Sequence, residues 1–96
     1  MAHFIILGNW TDQGVRNLKD VSKHVEASKQ MLEQAGGKQH VYFTMGEYDF
    51  VVIAEAPNDE PMVKFVLSVG KLGNVRTKTL EAWTDADAAK MLAQLQ

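Results

Sequence analysis

Residues 45–53 constrain the fold of this chain more than any other stretch. An apolar run, residues 39–45, precedes Gly46-Glu47, and a second apolar run, residues 48–56, follows directly. Two apolar runs separated by two residues are typical of a β-hairpin, and glycine in the first turn position favours a II′ turn. Both alternating sets of side chains in the second run are largely apolar. We therefore expect a central hairpin in a sheet that is covered on both faces.

Hydrophobic periodicity and capping residues predict the remaining elements around this hairpin. These are a strand over 3–10, a helix over 15–34 that ends at Gly36-Gly37, a helix over 62–71, a strand over 74–83 and a terminal helix over 86–95. Thr11 or Asp12 is expected to cap the first helix, Asn58 or Asp59 the second, and Thr84 the third. The order β-α-β-β-α-β is that of the α+β ferredoxin-like fold, a four-stranded antiparallel sheet with two helices on one face.

The length of 96 residues predicts a single domain, residues 1–96, that buries a modest core. The second helix is apolar almost all round, and the sheet has no second helical layer, so we expect a second copy of the chain to cover both. A helix this short is marginal unless it is docked, so Leu92 and Leu95 of the terminal helix are expected to pack on something. A net charge of −2 without a basic patch argues against nucleic acid as a partner. The chain has no cysteine and no apolar run of signal-peptide or membrane length, and we expect a cytoplasmic protein with no membrane partner.

Several segments together resemble one family. Gly46-x-Tyr48-Asp49 before an apolar strand is the pattern of GYD-domain proteins, and Thr11-x-x-Gly14, Glu55-Ala56-Pro57 and residues 73–77 are similar to other parts of that family. The resemblance covers almost the whole chain and implies a dimeric α+β barrel. That superfamily includes cofactor-free monooxygenases, isomerases, dehalogenases, haem enzymes and ligand-sensing domains, so the resemblance implies a fold rather than an activity.

Asp49 and Arg76 are the first candidate site residues, because both belong to the family-like segments. The structural interpretation is an ion pair that holds the hairpin, since a guanidinium matches a carboxylate. The functional interpretation makes Asp49 a general base. Tyr48 is either a core tyrosine or a hydrogen-bond donor to an anionic ligand. Consecutive strand residues face opposite ways, so the alternation itself predicts that Tyr48 and Asp49 serve different faces.

Other residues are candidates for ligand binding. Trp10 can pack on a ligand or at an interface, and His24 lies on the flank of the first helix's apolar stripe. Asn9, Thr44 and Thr77 can line a pocket. The histidines lack metal-ligand spacing, so no metal site is predicted. Two alternatives stay open: the superfamily resemblance implies that His24 can serve as a haem ligand, and His3 and His40 can bind a metal if their strands are adjacent. The cofactor is unknown.

These observations lead to three functional hypotheses. The first is a small-molecule binding module, assembled as a homodimer or larger homo-oligomer, with its pocket between helices and sheet. The alternative is a cofactor-independent oxygenase or isomerase acting on a small enolisable or aromatic compound. In that enzyme Asp49 is the base, Tyr48 or Arg76 steadies the anion, and Trp10 packs on the substrate. The third is a protein whose assembly is itself the function.

Overall fold

The computed structural model describes residues 1–95, in which four strands and four helices follow the predicted ferredoxin-like order, with the first helix divided in two. The elements are β1 (Ala2–Trp10), α1 (Asp12–Arg16), α2 (Val21–Gln34), β2 (Lys38–Phe43), β3 (Phe50–Ala56), α3 (Asp59–Lys71), β4 (Val75–Ala82) and α4 (Asp85–Leu92). The strands form one sheet in the order β2-β3-β1-β4, and every neighbouring pair is antiparallel. The α+β architecture predicted from periodicity is confirmed.

The core lies between one face of the sheet and the helices α2 and α3. We call this face of the sheet the covered face. Its buried side chains are Phe4 and Ile6 of β1 and Phe50, Val52, Ala54 and Ala56 of β3, and the helices contribute Leu32, Met62 and Phe65. The alternate residues of the same strands form the opposite side, the open face, which no helix of the described chain covers. Within residues 1–95 no helix has both the length and the apolar character that a membrane crossing requires.

The first helix is interrupted, whereas the sequence predicted one continuous helix over 15–34. α1 ends at Arg16, Asn17 leaves helical geometry, and a short 3-10 turn over Leu18–Asp20 leads into α2. The amide of Asn17 donates to Asn74 Oδ1 at 3.2 Å, and the backbone N–H of Thr11 donates to the Asn74 carbonyl at 3.0 Å. These contacts tie α1 to the loop before β4, and we infer that they override the helical periodicity. The predicted helix end is confirmed, because Gly36 has a left-handed backbone with φ of 88°.

The central hairpin has a longer connection than the predicted two-residue turn. Phe43 pairs with Phe50, and the Thr44 N–H donates to the Asp49 carbonyl at 2.9 Å, which leaves residues 45–48 as the loop. Gly46 has φ of 113°, so the predicted positive φ is found in a different kind of turn. The Thr44 hydroxyl donates to the Tyr48 carbonyl at 2.6 Å and closes this loop from within. This side-chain hydrogen bond stabilises the four-residue loop in place of the predicted two-residue turn.

Both later helices are capped as predicted, but the last one does not pack within a single copy of the chain. Asn58 Oδ1 accepts from the Glu60 N–H at 3.0 Å, so α3 begins at Asp59, and Thr84 Oγ1 accepts from the Asp87 N–H at 3.0 Å. Leu92 and Leu95 are 63% and 72% exposed, so they do not pack within one copy of the chain, and their packing stays a prediction. α4 ends at Leu92, and an eight-residue helix lacks the length to bury a stripe of its own.

Candidate functional site

A cavity of about 230 Å³ lies between α2, α3 and the covered face of the sheet. Every one of these elements contributes apolar walls, as the two-layer architecture requires. Its lining includes Ile6, Val25, Met31, Val41, Val52, Phe65, Val66 and Val69. The sequence-based hypothesis placed a pocket between helices and sheet, and the cavity lies there.

Three aromatic rings meet at the end of the sheet where β1 and β2 finish and β3 begins. The ring centroid of Trp10 lies 5.2 Å from that of Phe50 and 6.4 Å from that of Phe43, with the second pair nearly parallel at 23°. Offset rings at such distances attract each other. All three rings line the cavity. Strand alternation produces this cluster, because Trp10, Phe43 and Phe50 all belong to the covered face.

Only a few polar groups reach the cavity. Gln39, Ser28, His24, Asn74 and Thr77 are among its lining residues. Gln39 Nε2 donates to Ser28 Oγ at 2.8 Å, and Gln39 Oε1 is buried without a hydrogen-bond partner in the described part of the chain. His24 Nδ1 lies 3.5 Å from Asn74 Nδ2. Gln39 was not among the predicted site residues, although its alternation with Val41 and Phe43 places it on the covered face.

The carboxylate of Asp49 is held by the end of β1 rather than by a cation. Asp49 Oδ2 accepts from the backbone N–H of Trp10 at 2.9 Å and lies 3.4 Å from Asn9 Nδ2, while the Asp49 N–H donates to the Gly8 carbonyl. Asn9 Nδ2 also donates to the Glu47 carbonyl at 2.9 Å. Asp49 therefore fastens the hairpin loop to the end of β1.

The predicted ion pair between Asp49 and Arg76 is absent among the ion pairs of residues 1–95. The reason is the strand order, since β1 lies between β3 and β4. Arg76 is opposite Asn9 in the β1–β4 register, and Asn9 occupies the place beside Asp49. The prediction treated the two strands as neighbours, which the ferredoxin-like order does not permit.

The remaining candidates separate into two groups. Trp10, Thr77 and His24 line the cavity. Asn9, Tyr48 and Arg76 line a second, more polar hollow near Lys78, and Trp10 and Thr77 line both this hollow and the cavity. Thr44 lies in the hairpin loop, and Asp49 lines neither hollow. The structure thus brings Trp10, Thr77 and His24 together and does not bring Tyr48 and Asp49 into one cavity.

The histidines do not assemble. His3 and His40 belong to β1 and β2, which are not neighbours because β3 lies between them. The alternative that placed them on adjacent strands is therefore wrong. His3 Nδ1 instead lies 3.6 Å from Glu55 Oε2, and Lys38 Nζ lies 3.1 Å from Glu55 Oε1. In residues 1–95 no three His, Asp or Glu side chains are grouped as a metal site would need.

Fold and cavity together define an α+β protein of the ferredoxin-like class, with a closed helical side, an open sheet side and an apolar hollow in between. The GYD domain model matches residues 4–92, so this chain belongs to the GYD domain family, as the resemblance implied. It is 35% identical over 89 residues to the glutamine synthetase and cystathionine beta-lyase binding protein of Thermus thermophilus. The alignment covers 91% of this chain and 94% of that protein. A crystal structure of a T. thermophilus protein has the same fold, with a TM-score of 0.56 at 22% identity, over 88% of this chain and 95% of that one.

Proposed function

We propose that this protein is a small-molecule binding module that assembles as a homodimer or larger homo-oligomer. The observation that carries the proposal is the cavity of about 230 Å³ between α2, α3 and the sheet. Ligand sites are concave and mostly apolar, with a few polar groups that fix orientation. Apolar cavities of about 150 Å³ already admit a benzene ring, so a ligand of roughly one ring suits this volume.

The test is a titration of the pure protein with toluene, phenol and cyclohexanol, followed by two-dimensional amide NMR. Binding is expected to shift the Trp10 indole N–H and the Gln39 side-chain amide, which both belong to cavity-lining residues. The Trp83 indole, 57% exposed and outside the cavity lining, supplies the internal control. Spectra that do not change with any probe would contradict the binding module.

Two substitutions on one helix separate cavity binding from surface adsorption. Val69 lines the cavity, whereas Val63 on the same helix is exposed to solvent. Val69→Phe fills the hollow and is expected to abolish the shifts, while Val63→Phe is expected to leave them unchanged. Equal loss of binding in both variants would place the probes elsewhere on the protein.

The assembly is proposed to form through the open face of the sheet. The central part of this face is apolar, and Ile53 is 48% exposed in the single copy. Its apolar members are Ile5, Leu7, Val51, Ile53 and Leu80. Covering them with the same face of a second copy removes apolar surface from water, which favours association.

Light scattering coupled to size exclusion tests the assembly. Ile53→Lys is expected to convert the oligomer to a monomer, because two lysines would face each other across the interface. Leu18→Lys introduces the same charge at a similarly exposed apolar site in the turn before α2 and is expected to leave the mass unchanged. A monomeric wild-type protein would refute the proposed assembly directly.

A second candidate function is docking to another protein. The relative whose name describes binding to glutamine synthetase and cystathionine beta-lyase matches nearly the whole chain. The exposed leucines of the C-terminal end, Leu92 and Leu95, offer apolar surface to such a partner. Biolayer interferometry with the two purified enzymes tests this function. Leu92→Asp is expected to weaken capture, and Met45→Asp in the exposed hairpin loop is the matched control.

A further inference from the structure

Gln39 is the buried polar residue of the core. It belongs to β2, faces the cavity side of the sheet and is 3% exposed. Its Nε2 is satisfied by Ser28, while its Oε1 has no partner within residues 1–95. A buried acceptor without a partner costs about 1–3 kcal/mol. An apolar side chain at this position would avoid that cost, so packing alone does not explain why a glutamine is found here.

The neighbouring hydrogen bonds decide which atom of the amide is left free. The two ends of a glutamine amide look alike, and their assignment comes from the surrounding donors and acceptors. The Ser28 hydroxyl has one proton, and it donates that proton to the Val25 carbonyl at 2.8 Å. Ser28 Oγ can therefore only accept from Gln39, at 2.8 Å, which requires Nε2 on that side. The free atom of Gln39 is its oxygen, an acceptor.

The lining also restricts the charge of a ligand. Among the described residues that line the cavity there is no Asp, Glu, Lys or Arg, and His24 is the only ionisable side chain. Transfer of an unpaired charge into such surroundings is strongly unfavourable. A neutral ligand is therefore favoured over a carboxylate or an ammonium compound.

We propose that the cavity selects small, neutral, mostly apolar molecules that carry one O–H or N–H donor, which binds Gln39 Oε1 after a small rotation of the buried amide uncovers this atom to the cavity. Phenols, cyclic alcohols and indoles belong to this class, whereas the corresponding hydrocarbons and ethers do not. The apolar body contacts the aromatic rings and valines of the cavity, and Gln39 fixes the orientation of the donor. This inference rests on the proposed binding function and adds to it the chemical class of the ligand.

The experiment compares phenol with toluene and anisole in the wild-type protein and in Gln39→Met. Toluene has the size of phenol without a donor, and anisole carries an oxygen that only accepts. In the wild type, phenol is expected to bind about tenfold more tightly than its hydrophobicity alone predicts from toluene. Gln39→Met is expected to remove this preference by weakening phenol about tenfold, while toluene binds unchanged or more tightly.

A second pair of variants tests the same acceptor without changing Gln39. Ser28→Ala removes the group that holds Nε2, so the Gln39 amide can turn and present a donor. Anisole is then expected to gain affinity relative to phenol. Ser68→Ala removes a hydroxyl from another cavity-lining serine, which has no recorded bond to Gln39, and is expected to leave the ratio unchanged. This pair stays informative if Gln39→Met does not fold.

The outcomes distinguish this inference from the function on which it rests. If all probes bind but the phenol-to-toluene ratio is the same in the wild type and in Gln39→Met, donor selection is wrong and the binding module stands. A ratio that Ser28→Ala and Ser68→Ala change equally also overturns it. If no probe binds to the wild type, the proposed function itself fails.

Discussion

The two faces of the sheet have similarly apolar centres but opposite surroundings. On β1, Phe4 and Ile6 are buried beneath the helices, while the alternate residues Ile5 and Leu7 are only half-buried. On β3, Phe50 and Val52 are buried, but Ile53 is largely exposed. The alternation therefore shows that both faces are suited to being covered. The described chain supplies a cover for one face only, and the other is the face through which we propose assembly.

The polar residues of the two faces differ in kind. The covered face carries Gln39 next to the cavity, with its oxygen free. The open face carries charged side chains around its apolar centre, among them Lys38, Glu55, Arg76 and Lys78. A neutral acceptor suits recognition of a small ligand, whereas an apolar centre with a charged rim is typical of a protein interface.

The largest expected contrast comes from adjacent isoleucines on β1. Ile6→Ala removes a side chain that is 2% exposed in the core and is expected to cost about 2–5 kcal/mol of unfolding free energy. Ile5→Ala on the open face is expected to cost roughly 1 kcal/mol in a single copy, because that side is not fully covered. Denaturant unfolding at low protein concentration measures both values. A cost of Ile5→Ala that grows with protein concentration would show that a partner buries the open face.

The next contrast tests how tightly the covered face is filled. A methyl group at Gly8 would overlap the ring of Phe50, which is itself buried in the core. Gly8→Ala is therefore expected to cost about 3 kcal/mol, the upper end for overpacking. Thermal unfolding measures the loss. If Gly8→Ala is tolerated, Phe50 can move, and the cavity beside it is more adaptable than the structure suggests.

A third test concerns the end of the open face. Asp49→Ala removes the acceptor of the Trp10 N–H and is expected to cost about 2 kcal/mol, the range for a charge-assisted bond. Arg76→Ala is expected to change stability by less than about 0.5 kcal/mol, because Arg76 is exposed and has no ion pair in residues 1–95. A double-mutant cycle gives the coupling between them. A large coupling free energy would show that Asp49 and Arg76 interact, as the sequence predicted.

The smallest expected effects come from two helix caps. Asn58→Ala removes the cap of α3, which packs on the covered face, and is expected to cost about 1 kcal/mol of global stability. Thr84→Ala removes the equivalent cap of α4, which has no buried residue, so the loss is expected to stay local and below about 0.5 kcal/mol. Hydrogen exchange of α4 amides separates the two cases. Equal global costs would mean that α4 is docked in the assembly.

Most of the fold was predictable from the hydrophobic periodicity and the helix-capping residues of the sequence. The alternation around Phe50 and Val52 and the caps Asn58 and Thr84 gave the order of elements and the strand faces, because these signals are local. The break at Asn17 was not predictable in this way. Asn17 and Asn74 are 57 residues apart, and only the folded chain brings them together.

The candidate site was predicted less completely. Trp10, His24 and Thr77 were predicted as ligand-binding residues and do line the cavity. Gln39 also lines it but was not among the predicted site residues, which instead included the family-like acid Asp49. Asp49 proved to fasten a loop, since its partner is a backbone N–H that no side-chain pattern reveals. Asp49 and Arg76 are separated because β1 lies between β3 and β4, and the ferredoxin-like topology already implies this strand order.

The contact of α1 with the loop before β4 has a consequence for how the cavity comes into existence. The Thr11 hydroxyl donates to the Gly73 carbonyl at 2.6 Å, which joins residues 62 positions apart. Closing so long a loop costs conformational entropy, and contacts made by the intervening chain offset this cost only once that chain is folded. The cavity also draws its walls from both halves of the chain. A nascent chain released only as far as β3 therefore lacks the walls that α3 and β4 give to the cavity, and the proposed ligand site is complete only once the last strand has been synthesised.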